Sequence, residues 1–199
     1  TNIFAFRGAN SRTFWTFDVD DGEWSALLNA PDKVKEGAAL AYADGFIYAF
    51  RGADKKDFWA YNMGNGSWEP RDDAPDKVEW GATLAWDGSD TIYAMRGDKK
   101  DDFWAYSIAG DSWSSLEDTP DDVKKGGALA YVGGTIYAFR GDDKKDFWSY
   151  SVTGDSWTTL ADAPRDVDEG GSLAWSGGDF IYAMPGDKRK DFWRYSISG

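Results

Sequence analysis

Residues that could carry out chemistry are few in this sequence of 199 residues. It contains no histidine and no cysteine, which excludes imidazole bases, thiol nucleophiles and zinc–thiolate sites. The remaining ionisable groups are 35 acidic and 22 basic side chains, and no nucleophile has a base beside it. Aspartate-rich turns such as 87–90 lack the ligand spacing of a calcium loop. We therefore expect no catalytic residue, no metal and no cofactor, and hence no enzyme.

The first candidates for ligand binding are cations that recur at fixed spacing beside aspartates. An arginine precedes a glycine at four equivalent places, and in three of them a lysine follows four or five residues later. A guanidinium group presents a planar fork of donors that suits carboxylates, phosphates and sugar hydroxyls. Solvated loops with local ion pairs are the plainer interpretation, since exposed pairs contribute only about 0–1 kcal/mol. The candidate ligand-binding residues of this type are Arg51, Arg96, Arg140, Lys56, Lys100 and Lys145.

Trp80 is a further candidate because it interrupts a charged pattern. Glu36, Lys125 and Glu169 occupy its position in the other copies of the repeat described below. An indole among charged side chains can stack on a sugar ring or anchor a side chain of a partner protein. Local packing is the alternative interpretation. We include Trp80 in the predicted binding site.

The elements that position these residues come from an internal repeat. Near-identical segments begin at a spacing of 44 or 45 residues, at Ile3, Ile47, Ile92, Ile136 and Ile181. That period is typical of propeller blades. The predicted repeat units, within a single domain over 1–199, are 3–46, 47–91, 92–135, 136–180 and the partial unit 181–199.

Each unit contains four strand-sized runs bounded by turn residues. Around the start of the fourth unit these runs are Gly126–Tyr131, which lies at the end of the third unit, and then Ile136–Phe139, Phe147–Val152 and Trp157–Leu160. The inner runs are apolar on both faces, which is expected of sheets packed between neighbouring sheets and not of a two-layer sandwich. Tryptophans that recur at one repeat position are predicted to be core, and these are Trp59, Trp104, Trp148, Trp68, Trp113 and Trp157.

The residues of the fourth unit resemble a known repeat. Asp146-Phe147-Trp148-Ser149-Tyr150 is followed by a turn, by Trp157, and then by Leu160 and Pro164. This pattern resembles the kelch repeat over the whole chain, and the resemblance implies a β-propeller of four-stranded blades. Kelch units carry a Gly-Gly pair at the end of the second strand. Here that pair reads Arg51-Gly52, Arg96-Gly97, Arg140-Gly141 and Pro185-Gly186.

The number of blades follows from the strand count. Three strands, then four, four and four, then three are predicted, which favours five blades. Four closed blades, or a part of a larger propeller, are the alternatives. The missing inner strand of the first blade and the missing outer strand of the last one leave backbone groups unpaired.

Charge and repetition together favour a non-catalytic binding module. A net charge of −13 disfavours nucleic acid and anionic lipid surfaces as partners, because both are bound by basic patches. We expect a repeated loop face that binds a glycan or a protein. The alternatives are a structural subunit that self-associates in a surface layer, filament or multi-chain ring, and a consensus or engineered repeat without a ligand. The acidity also suggests an extracellular or cell-surface location, and no apolar run has the length of a membrane span.

Overall fold

The computed structural model describes residues 1–199, and its regular elements are all β-strands. Eighteen strands form antiparallel sheets of three, four, four, four and three strands along the chain. The prediction of an all-β chain with this strand count is confirmed, and the fold is a five-bladed β-propeller. No helix has the length and apolar character that crossing a membrane requires.

Each blade is one sheet in which neighbours in sequence are neighbours in space. Blade 1 contains β1 (Asn2–Phe6), β2 (Phe14–Asp18) and β3 (Glu23–Ala26). Blade 2 contains β4 (Ala39–Ala43), β5 (Phe46–Phe50), β6 (Phe58–Asn62) and β7 (Ser67–Pro70). Blade 3 contains β8 (Thr83–Trp86), β9 (Thr91–Met95), β10 (Phe103–Ser107) and β11 (Ser112–Ser115). Blade 4 contains β12 (Ala128–Val132), β13 (Thr135–Phe139), β14 (Phe147–Ser151) and β15 (Ser156–Thr159), and blade 5 contains β16 (Ser172–Trp175), β17 (Phe180–Met184) and β18 (Trp193–Ser196).

The predicted strand bounds in blade 4 agree with the structure to within two residues. The largest difference is at β12, which begins at Ala128 instead of Gly126. Gly126 has a φ of +82°, in the left-handed region that extended strands do not use. It therefore belongs to the segment that links blades 3 and 4.

The chain divides into two compact units, Thr1–Glu79 and Trp80–Gly199. Blades 1 and 2 lie in the first unit, and blades 3, 4 and 5 lie in the second. The single domain over 1–199 stays a prediction. Each unit has its own apolar clusters, which are formed between successive blades.

In the second unit, a phenylalanine of one blade packs against two aromatic rings of the next. The Phe103 ring of blade 3 meets the Tyr150 and Trp157 rings of blade 4 edge-on, each at 4.9 Å between centroids. The Trp157 indole also donates a hydrogen bond to the Glu117 carbonyl oxygen, at 2.9 Å. The outer-strand tryptophan thus joins two blades, as expected for an aromatic ring with one polar atom.

The same arrangement occurs in the first compact unit, between blades 1 and 2. The Phe14 ring of blade 1 lies 5.1 Å from the Tyr61 ring and 5.0 Å from the Trp68 ring of blade 2. The Trp68 indole donates to the Leu28 carbonyl oxygen at 3.0 Å. In the third strands, Trp59, Trp104 and Trp148 are only 6%, 2% and 1% exposed. The outer-strand tryptophans of blades 2, 3 and 4 are partly buried.

Candidate functional site

Two kinds of segment form one face in each unit, which we call the loop face. They are the loops between the second and third strands of a blade and the links that lead to the next blade. In blade 4, the Val167 amide of the outgoing link donates to the Lys144 carbonyl oxygen at 2.8 Å, and the Asp142 amide donates to the Lys125 carbonyl oxygen of the incoming link at 2.8 Å. Equivalent single bridges join Ser11 to Val34, Lys55 to Val78 and Lys100 to Val123. The loops of blades 2, 3 and 4 are each held between two links, and the predicted common face is present.

The guanidinium groups on this face are held by carboxylates of the protein. Arg140 Nη1 lies 2.9 Å from a carboxylate oxygen of Asp121 and 3.5 Å from one of Asp146, and its Nε donates to the Asp122 carbonyl oxygen at 3.1 Å. Its side chain is 15% exposed. The group ties the incoming link to the loop, because Asp121 belongs to the link and Asp146 to the loop.

Arg51 and Arg96 make similar contacts. Arg51 Nη2 lies 2.7 Å from a carboxylate oxygen of Asp32, and its Nη1 lies 3.1 Å from one of Asp57. Arg96 Nη1 lies 2.9 Å from a carboxylate oxygen of Asp102. The guanidinium nitrogens that were predicted to bind a ligand therefore contact carboxylates of the protein itself. Their role in ligand binding stays a prediction.

Blade 5 replaces this arginine by Pro185 and uses another one. Arg189, at the position of Lys144, donates from Nη1 to the Asp166 carbonyl oxygen at 2.7 Å. It also lies 3.5 Å from the Asp187 carboxylate. The link between blades 4 and 5 is thus still held by a guanidinium group. This group comes from a position four residues later in the loop than that of Arg140.

The predicted lysines of the loop face differ in their contacts. Lys56 Nζ donates to the Pro75 carbonyl oxygen at 2.7 Å. Lys100 and Lys145 are exposed. Lys145 lines an open cleft of about 350 Å³ with Arg165, Asp166 and Arg189. The role of these lysines in ligand binding stays a prediction.

Trp80 lines a separate cleft of about 260 Å³ on the loop face of the second unit. Its indole is half-buried. The remaining lining is entirely charged, with three lysines and four aspartates, namely Lys99, Lys124, Lys125, Asp98, Asp142, Asp143 and Asp168. This combination offers one aromatic surface surrounded by donors and acceptors of hydrogen bonds.

Side chains from successive blade links adjoin one another in this cleft. The ammonium group of Lys125 lies 5.2 Å from the centre of the Trp80 ring, within the range of a cation–π contact. The same ammonium group is 4.0 Å from a carboxylate oxygen of Glu169. Lys124 Nζ donates to Asp142 at 2.6 Å. The cleft therefore contains an ordered alternation of aromatic, cationic and anionic groups.

Glycines bring these links together. Gly81 and Gly126 follow Trp80 and Lys125, and both have positive φ. A Cβ atom at Gly81 would overlap the Lys124 carbonyl oxygen, and one at Gly126 would overlap the Asp168 carbonyl oxygen. The backbone of one link therefore packs directly on the next, which places residues 80, 125 and 169 side by side.

Sequence reasoning missed part of this cleft. Lys124, Asp142 and Asp168 were not among the predicted site residues, although their positions are near Trp80 in the structure. The available signal was weak. The position of Lys124 is occupied by Lys35, Glu79 and Asp168 in the other units, so it is charged in every repeat but changes sign.

A second cavity, of about 190 Å³, lies between blades 4 and 5 and is largely apolar. Phe147, Trp193 and Tyr195 are among its lining residues. At the equivalent place between blades 3 and 4, the Trp157 indole packs on Phe103. Blade 5 has three strands, so no outer-strand indole occupies this place. We interpret the cavity as a feature of blade packing.

Comparison with known proteins supports the fold alone. No protein-family model matches the chain, and no curated protein matches it. The solved structure of YjhT is similar, with a TM-score of 0.73 and 17% sequence identity over 92% of this chain and 69% of that one. At that identity the likeness extends to the arrangement of the strands and not to the residues of a site.

Proposed function

We propose that this protein is a non-catalytic binding module of the kelch-like type, and that it binds a carbohydrate at the Trp80 cleft. The observation that carries the proposal is the indole at a position that is charged in the other units. Trp80 lines a cleft whose other walls are lysines and aspartates. An aromatic surface for the apolar face of a sugar ring, with donors and acceptors for its hydroxyls, suits such a ligand.

A protein partner is the second candidate. A half-buried tryptophan with charged neighbours is also the composition of an interface hot spot. The loop face supplies these charges in every blade, so weak contacts could be repeated along an extended partner. The two candidates predict different ligands for the same cleft, and one set of variants tests both.

The absence of catalysis is part of the proposal. A catalytic centre needs one asymmetric group of residues with an activated nucleophile or an acid–base pair. Here the blades are nearly interchangeable, and the side chains around Trp80 are paired with one another. We also propose an extracellular or cell-surface location. Localisation of the tagged protein in the cells that produce it tests this proposal.

The experiment uses Trp80→Glu, which installs the residue that two other units carry at this position. Because Glu36 and Glu169 occur in the same backbone setting, we expect this variant to fold. The wild-type protein is applied to a glycan array and to a library of extracellular proteins, and each ligand found is titrated by calorimetry. Loss of the indole should weaken binding at least tenfold, which corresponds to about 1.4 kcal/mol.

Trp86→Tyr is the matched control. Trp86 lies at the end of β8 next to the turn, and Tyr42 and Tyr131 occupy its position in blades 2 and 4. This variant should bind as the wild-type protein does. Equal affinity of the wild-type and Trp80→Glu proteins for every ligand found would show that the cleft is not the site. A ligand set without glycans would favour the protein-binding alternative.

A further inference from the structure

The link between blades 4 and 5 differs from the other links in its charge. At other junctions, an aspartate of the link pairs with the arginine that ends the second strand of the next blade. Asp121 and Arg140 form this pair at 2.9 Å between blades 3 and 4, and the same pair occurs between blades 1 and 2. Their equivalents between blades 4 and 5 are Arg165 and Pro185. A carboxylate of the repeat is therefore missing at this junction, and a cation takes its place.

Three cationic side chains line the open cleft of about 350 Å³ at this junction. They are Lys145 from the loop of blade 4, Arg165 from the link and Arg189 from the loop of blade 5. Asp166 supplies the one carboxylate of the lining. We call these four residues the cationic cleft. Three cations and one anion give the lining an excess of positive charge, in a chain whose net charge is −13.

Hydrogen bonds fix the link to the loops on both sides of the cationic cleft. The Ala163 amide donates to the Lys145 carbonyl oxygen at 2.9 Å. On the other side, Arg189 Nη1 donates to the Asp166 carbonyl oxygen at 2.7 Å. The backbone that carries the cations is therefore ordered before a ligand binds, which reduces the entropy cost of binding.

Two of the three cations have no counter-ion in the protein. Lys145 and Arg165 are exposed, and neither side chain makes an ion pair or a hydrogen bond. The equivalent place between blades 3 and 4 is open to solvent as well, because the Asp121 side chain there is 51% exposed. The opening of the cationic cleft is therefore a property of the blade junction. A ligand can reach both free cations.

We propose that the cationic cleft binds glutamate or aspartate side chains of an acidic peptide segment in a partner protein. The group that the repeat lacks at this place is a side-chain carboxylate, and a guanidinium group binds carboxylates through paired hydrogen bonds. The lining contains no aromatic residue, so a sugar ring would find no stacking surface. No residue lines both this cleft and the Trp80 cleft. The inference therefore does not depend on the carbohydrate proposed for Trp80.

The first test titrates the protein by calorimetry with a synthetic peptide of alternating glutamate and glycine. A peptide with glutamine in place of glutamate should not bind. The affinity for the glutamate peptide should fall as the ionic strength rises from about 0.01 M to about 0.1 M, because the Debye length shortens from about 30 Å to about 10 Å. Polygalacturonate presents carboxylates on sugar rings. Equal or tighter binding of polygalacturonate per carboxylate would overturn the assignment to a peptide.

Two charge reversals locate the binding, and each installs a residue that the repeat already uses. Arg165→Asp gives the residue of the other three links, and Lys145→Asp gives that of blade 3, which is Asp101. We therefore expect both variants to fold. At an ionic strength of about 0.1 M, each should weaken binding of the glutamate peptide at least about tenfold.

Lys144→Asp is the matched control for these variants. It makes the same change of charge in the same loop, at a residue that does not line the cationic cleft. Because charges more than about 10 Å apart are largely screened at about 0.1 M, this variant should retain most of the affinity. Equal losses in Lys144→Asp and Arg165→Asp, or a wild-type protein that does not bind the glutamate peptide at either ionic strength, would overturn the proposal.

Discussion

At the scale of the residue, Arg140 should contribute more to stability than to ligand recognition. Its guanidinium group joins Asp121 of the incoming link to Asp146 of the loop. Arg140→Ala leaves these carboxylates and the Asp122 carbonyl oxygen without their donor. We expect the free energy of unfolding to fall by about 1–2 kcal/mol, as measured by urea denaturation.

Lys144→Ala is the matched control for this change. Lys144 lies in the same loop and is exposed, so its removal should change the free energy of unfolding by less than about 0.5 kcal/mol. Equal stability of the two variants would contradict the structural role. A selective loss of ligand affinity in the folded Arg140→Ala protein would instead support the predicted binding role.

The site could be predicted from the sequence only in part. Trp80 was identified because it interrupts the repeat pattern. The loop arginines were identified because they recur at one position of the repeat. Their partners could not be identified in the same way. Asp121, for example, belongs to a preceding link, and many aspartates of the chain are equally plausible partners by sequence. The contact of Lys125 with the Trp80 ring depends on how one link packs on the next, which the repeat pattern does not specify.

At the scale of the element, the close approach of the blade links should be the least tolerant feature. Gly126 and Gly88 have the same φ of +82°. A Cβ atom at Gly126 would overlap the Asp168 carbonyl oxygen, whereas a Cβ atom at Gly88 would have no atom within 4 Å. Gly88→Ala therefore measures the cost of the left-handed conformation alone, about 1 kcal/mol. Gly126→Ala adds a clash with backbone that cannot move independently, and we expect a loss of about 2–4 kcal/mol.

Thermal and urea unfolding of the two variants measure this difference. Similar losses in Gly126→Ala and Gly88→Ala would mean that the links adjust without cost. In that case the side-by-side placement of Trp80 and Lys125 would not depend on the glycines. A larger loss in Gly126→Ala, with ligand affinity reduced in the folded fraction, would connect the packing of the links to the cleft.

The strands themselves were largely predictable. Alternating aromatic and small residues, with turns at regular spacing, determined all four strands of blade 4 to within two residues. The blade links were less predictable, because Gly126 and Gly127 are compatible with a strand by composition and leave it only through contacts with the neighbouring link. Exposure of Met184 and Phe192 was also not predicted, because their sequence context is the same as in the buried copies.

At the scale of the whole molecule, the buried tyrosines connect stability to alkaline pH. Burial raises the pKa of Tyr61, Tyr137 and Tyr150 above the usual tyrosine value. Burial, with a smaller effect of the Asp87 carboxylate, raises the pKa of Tyr93 to about 12. The Tyr150 hydroxyl also donates to the Asp155 carboxylate at 2.6 Å, which further favours its protonated form.

These raised pKa values determine the direction of the pH dependence. Below the pKa of a tyrosine in the unfolded chain, about 10, both states keep the phenol proton and stability is unaffected. Above it, the unfolded chain releases the proton while the folded one retains it, so the free energy of unfolding decreases as pH rises. The free energy of unfolding decreases by at most about 1.4 kcal/mol per pH unit for each such tyrosine. For Tyr93 this decrease continues until the pH reaches the pKa of its phenol in the folded protein.

Urea unfolding at about pH 9 and about pH 11, with tyrosinate absorbance as a second readout, tests this prediction. Tyr93→Phe removes one raised pKa, so the loss of stability between the two pH values should be smaller than in the wild-type protein. Tyr42→Phe is the control for the loss of a phenol hydroxyl as such, because Tyr42 is 53% exposed. Tyrosinate absorbance should rise in two steps, the second coinciding with unfolding. A single step before unfolding, or the same pH dependence in Tyr93→Phe as in the wild-type protein, would show that these phenols ionise within the folded blades.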